Sequence, residues 1–146
     1  MNHESVFTFC SGFAISGWIL LIIAPRWKWI PKLVIPVIFP TVLALIYGYF
    51  LFPDVFSPKV SFGTLDGVGR VFDNTNLLLA AWVHYLAFDL FIGSWEMRDS
   101  QKLGISYWVV LPCLILTFLL GPLGLFVYLL VRFFVKGRLT IDSSGS

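Results

Sequence analysis

The chain has 146 residues, 58% of them hydrophobic and 12% charged, with a net charge of +2 and a mean hydropathy of +0.88. Globular domains carry about 25% charged residues, and so short a chain cannot bury six Trp and fifteen Phe in a core of its own. A water-soluble domain is excluded, the scattered positive charge argues against nucleic-acid binding, and an integral membrane protein remains.

No basic region precedes the first apolar run, so residues 6–24 read as a retained span and not a cleaved signal. Pro25 closes it, and the segment RWKWIPK places Trp27 and Trp29 where aromatic rings sit at headgroup level. A second span is expected over 33–52, running through Pro36 and Pro40 to Pro53. In the loop 53–75, Leu65, Val68 and Phe72 recur at helical spacing and Asp66 and Arg70 stand four apart, which predicts a short amphipathic surface helix. The third span is expected over 76–95, ending at Trp95. The fourth run, 107–135, is interrupted by Pro112 and by Gly121-Pro122. Its reach of about 43 Å suits one tilted, kinked span, while a re-entrant hairpin is the alternative.

The expected fold is thus all-α, with four transmembrane helices in one domain, 1–135, followed by a polar tail, 136–146. With four spans, Arg26, Lys28, Lys32, Arg98 and Lys102 fall on one side, and Lys59, Arg70, Arg132, Lys136 and Arg138 on the other. That even division leaves the orientation open. Cys10 and Cys113 lie in apolar runs and read as small hydrophobes. His3 and His84 are the only histidines, and no metal-ligand spacing exists, so neither metal nor cofactor is expected.

The third span holds the unusual chemistry. Residues 80–95, AAWVHYLAFDLFIGSW, suit a bilayer interior yet carry His84 and Asp89. Asp89 stands six residues before Trp95, about 9 Å inward from that interface, and a charge at mid-bilayer costs about 2.5–3.5 kcal/mol. It must be paired, protonated or hydrated. On a helix Tyr85, Glu96 and Trp82 fall near the line of Asp89, whereas His84 is about 140° away and about 7.5 Å along the axis. His84 and Asp89 then either border one cavity between helices or serve separate faces. A packing role is the competing reading: Asp89 pairs with Arg132 or bonds Thr117, Tyr128 or Tyr47, and His84 bonds a neighbouring helix. Glu96, Arg98 and Asp99 are expected in the solvated loop after the span, and Arg132 is expected to snorkel. The broken helix around Pro112, Thr117 and Gly121-Pro122 is the kind of element that borders a cavity.

The string Trp82-x-His84-x-Leu86-x-x-Asp89-Leu90-Phe91, followed by a Pro-containing span with Gly121-Pro122-Leu123-Gly124, resembles the abscisic-acid-deficient-four family of neoxanthin-synthase proteins. The likeness covers most of the chain and is strongest over 74–132. After Phe91 the chain departs from the plant members with Ile92-Gly93-Ser94, and it has no plastid-type transit segment, so a bacterial relative in an inner membrane is expected. The resemblance implies a membrane-embedded isomerase acting on a carotenoid or other isoprenoid lipid. In the plant members the activity is linked to conversion of an epoxy-carotenoid to an allene, an isomerisation without net redox change. Such chemistry needs an acid for the epoxide oxygen and a base for a neighbouring proton. Asp89 and His84 are the expected catalytic pair, with Trp82, Tyr85, Phe88, Glu96, Thr117 and Tyr128 around the substrate. The alternatives are a non-catalytic lipid- or pigment-binding protein, a subunit of a membrane assembly, or an oligomeric proton conductor built around Asp89. The expected partners are a hydrophobic lipid or carotenoid ligand, membrane lipids and a second copy of the chain.

Overall fold

A computed structural model describes residues 2–25, 27, 29–56 and 61–137. All regular structure among them is helical. Expectations for Arg26, Lys28, Lys59, Arg138 and most of the tail fall outside the described residues.

Helix α1, His3–Ile23, starts where the Asn2 side chain accepts the Glu4 N–H, a cap that satisfies one of the helix's free donors. The chain re-enters through a π-helical segment, Ile30–Ile38, that passes directly into α2, Phe39–Val55. Pro36 and Pro40 explain the wide winding. Each lacks an N–H and presses its ring on the preceding turn, and a looser helix relieves that crowding. A short helix, α3 (Leu65–Asp73), is capped by the Thr64 hydroxyl and carries the Asp66–Arg70 ion pair. It forms where the spacing placed it, but it docks through Gly67 and Val71, while Leu65 and Phe72 are exposed.

Helix α4, Thr75–Leu103, is the longest element and outruns the expected 76–95 by two turns. Its last turns, EMRDSQK, look like a solvated loop by composition. They stay helical because Glu96, Asp99 and Ser100 are buried against other helices. Gly104, at φ +63°, ends the helix in a left-handed cap that its Cβ-less backbone adopts readily.

Three helical stretches, His3–Ile23, Lys32–Val55 and Thr75–Leu103, are long and apolar enough to cross a membrane. The fourth run is not one kinked span. It forms α5, Tyr107–Leu120, and α6, Pro122–Lys136, each about 21–22 Å long and short of the roughly 30 Å hydrocarbon layer. Thr117 on α5 bonds Glu96, and then Tyr128 and Arg132 on α6 bond Asp99, farther toward the same end of α4. The chain therefore enters along α4, turns at Gly121 and returns. The break is local: Gly121 has φ +43°, and Pro122 offers no N–H to continue α5. The two arms touch closely at the tip, where a Cβ on Gly124 would lie 2.1 Å from the Thr117 nitrogen.

The hairpin changes which ends lie together. At one end, His3 donates to Asn76 (2.7 Å) and Asn76 donates to Asp54 (2.6 Å), tying α1, α4 and α2. At the other, Gln101 bonds the Pro25 carbonyl and Tyr107 the Ile22 carbonyl. Among the described residues, Lys32, Arg98, Lys102, Arg132 and Lys136 belong to the Gly104 end and Arg70 to the Asn76 end. The even division expected for four spans is replaced by a strongly biased one.

Candidate functional site

Asp89 is the midpoint of α4, fourteen residues or about 21 Å from either end. It is 8% exposed, and its Oδ2 is buried with no hydrogen-bond partner among the described residues. The tip of the hairpin rests on it: a Cβ at Gly121 would lie 2.7 Å from Asp89 Oδ1, so the close approach depends on glycine. One turn earlier on α4, the Tyr85 hydroxyl sits beside the Asp89 carboxyl. It also reaches the Leu119 and Phe118 carbonyls at 3.3 and 3.4 Å, the free acceptors of the last turn of α5.

Two further carboxyl groups continue along α4 toward the Gly104 end. Glu96 is fully buried and accepts from the Thr117 hydroxyl at 2.9 and 3.1 Å. Asp99 accepts from Tyr128 at 2.7 Å and pairs with Arg132 at 2.8 Å. Arg98 turns elsewhere and bonds the Ser94 carbonyl. Arg132 is thus committed to Asp99, and among the described residues no ion pair joins a cation to Asp89 or Glu96, which face the hairpin. Among the described residues no three His, Cys, Asp or Glu side chains converge as a metal site would need.

The other expected residues are elsewhere. His84 is exposed, stacks on Phe88 (4.4 Å between ring centres) and approaches Tyr47 of α2 (5.6 Å). It does not meet Asp89, and the 140° separation is the reason. Phe88 points outward with it. Trp82 donates to Ser11 of α1 at 3.0 Å and lines up with Phe7 (5.4 Å) and Tyr85 (5.7 Å). Thr117, Tyr128 and Arg132, offered above as partners for Asp89, hold Glu96 and Asp99 instead. Glu96 and Asp99 are not in a loop, and Arg132, 3% exposed, does not snorkel. A signal for this existed. Val110, Cys113, Leu114 and Thr117 share one face of α5, and Gly124, Tyr128 and Arg132 one face of α6. Each face carries a hydrogen-bonding group suited to a carboxylate on α4.

Because the hairpin reaches only as far as Asp89, the same side of α4 beyond it stays uncovered. Leu78 and Trp82 are exposed there, as are Phe118 and Leu119 at the hairpin tip. A groove of about 250 Å³ between α1 and α4, lined by His3, Phe7, Leu78 and Trp82 among others, opens at the Asn76 end. A second groove, of about 610 Å³, lies at the Gly104 end among Met97, Ser100, Gln101 and Tyr107.

Three apolar helices long enough to span, with a carboxyl group kept at their mid-depth, define a helical membrane protein with a buried acidic site. Its relatives are specific. The chain belongs to the ABA DEFICIENT 4-like family, whose sequence profile matches residues 5–128. No curated protein and no solved structure matches it.

Proposed function

We propose that the protein is a membrane-embedded isomerase for a carotenoid or related isoprenoid lipid, with Asp89 as the group that exchanges protons with the substrate. The observation that carries this reading is the unpartnered Asp89 Oδ2 at mid-depth, next to an uncovered wall of aromatic rings. An apolar ring slides along Trp82 and Phe7 from the lipid, and its polar atom meets the carboxyl group. In an epoxide-to-allene rearrangement a proton goes to the epoxide oxygen, the C–O bond opens, and a proton leaves the adjacent carbon as the cumulated double bond forms. One carboxyl group can do both, giving a proton from one oxygen and taking one on the other, so that nothing is oxidised or reduced. Tyr85, beside Asp89, orients the oxygen, and His84 takes no part. The exposed Leu65 and Phe72 of α3 rest in the headgroup layer in this arrangement.

The test is pigment analysis of carotenoid-producing cells that express each variant. Asp89→Asn is expected to abolish the isomer, Tyr85→Phe to lower it about 10- to 100-fold, and His84→Ala to leave it. Product formed by Asp89→Asn overturns the reading. A lipid that co-purifies unchanged makes the protein a binder.

A further inference from the structure

Glu96 has no duty in that reaction, yet it is fully buried, and Thr117 is the one side chain that holds it among the described residues. It points from the same line of α4 as Asp89, two turns on, with a rotation of about 20° between them. Seven residues separate them, a rise of about 10 Å along the helix axis, and Thr117 and Gly121 of the same hairpin arm touch one each. Beyond Glu96 the Tyr128 hydroxyl donates to Asp99, which also pairs with Arg132. Met97, which follows Glu96, and Ser100, one turn past it, line the groove at the Gly104 end. Arg132 of α6, paired with Asp99, is the cation on this column; the hydrophobic core packed around it includes Cys113 on α5, Trp18 on α1, and Ile35 and Phe39 on the π-helical segment and α2. A line of buried polar groups therefore crosses half of the span, from mid-depth to one end. Among the described residues the half between Asp89 and the Asn76 end has no such line; its core includes Val6, Cys10, Leu43, Leu79 and Val83.

We propose that Glu96 is a proton relay that connects Asp89 with the groove at the Gly104 end. Protons exchange in both directions between the groove, Asp99 and Tyr128, Glu96 and the Asp89 carboxyl. The relay sets the protonation of Asp89 before turnover, and the isomerisation, in which Asp89 gives one proton and takes one back, consumes none. Thr117 holds Glu96 in place without anchoring it by charge, which leaves its three-bond side chain able to swing toward Asp89. Glu96 acts through Asp89 and touches no substrate. The inference needs Asp89 to take up and release protons; it does not need the lipid at Asp89 to react, so it can fail while the isomerase reading stands, and the reverse.

The measurement is infrared spectroscopy of the whole protein in phosphatidylcholine vesicles on transfer to D₂O. The Asp89 carboxyl band is the one absent from Asp89→Asn. We expect it to shift promptly in the wild type and about tenfold or more slowly in Glu96→Gln. Glu96→Asp is expected to restore part of the rate, because a shorter carboxyl still carries a proton, and a purely structural role predicts no such rescue. Thr117→Val, which keeps the volume, gives a second test that does not depend on the folding of Glu96→Gln, and a slowing of a few-fold is expected. An Asp89 band that exchanges at the wild-type rate in both Glu96→Gln and Thr117→Val overturns the relay. So does a wild-type protein with no exchanging Asp89 band.

Discussion

The two halves of α4 are one helix in two different surroundings. From Thr75 to Leu86 it lies against α1 and α2 with aliphatic side chains, and its remaining face, Leu78 and Trp82, is left to the lipid. From Asp89 to Ser100 the corresponding face is covered by the hairpin and carries three acids. The difference shows where a thin membrane bundle can keep ionisable groups. A buried charge needs a partner or a hydrogen-bond donor within reach, and α5 and α6 supply Thr117, Tyr128 and Arg132 over half the depth only. Asp89 sits at the boundary, with protein on one side of it and lipid on the other.

The comparison can be broken most decisively through topology. A returning hairpin puts the ends of the described chain on opposite sides, and the bias of Lys and Arg predicts a cytoplasmic Gly104 end. Impermeant thiol labelling of Glu4→Cys and Lys136→Cys, with Cys10 and Cys113 replaced by Ala, should mark one from outside the cell and the other only after lysis. Labelling of both from the same side would restore four spans. Next in size is Arg132→Ala, which leaves Asp99 buried and unpaired. A loss of about 3–5 kcal/mol is expected in detergent-induced unfolding, with most of it recovered in Arg132→Ala/Asp99→Asn. Gly121→Ala forces a side chain into a left-handed turn against the Asp89 carboxyl, for about 2–3 kcal/mol by the same assay. Asp66→Asn on α3 removes an exposed ion pair and should change stability by less than about 0.5 kcal/mol.

Much of this was legible in the residues themselves. Hydropathy alone marks the three long spans, and Asn74, Thr64 and Gly104 mark helix ends. The line from Tyr85 through Asp89 to Glu96 follows from 100° per residue. The pairing of His84 with Asp89 was suggested by residue type, and geometry denies it: rotation about the helix axis sends His84 toward Tyr47. The extent of α4 was hidden because EMRDSQK has the composition of a loop, and only burial by another element distinguishes the two.

Composition and period therefore determine that the chain is a helical membrane protein and which residues share a face, because both depend on contacts within one helix or with lipid. Whether the fourth apolar run crosses or returns depends on what Gly121 meets, and composition does not contain that. The turn is held where the Asp89 carboxyl leaves room for a backbone but not for a side chain, and where Thr117, Tyr128 and Arg132 find acids to bond. Those acids lie 21 to 33 residues away along the chain, so only the assembled helices could decide it.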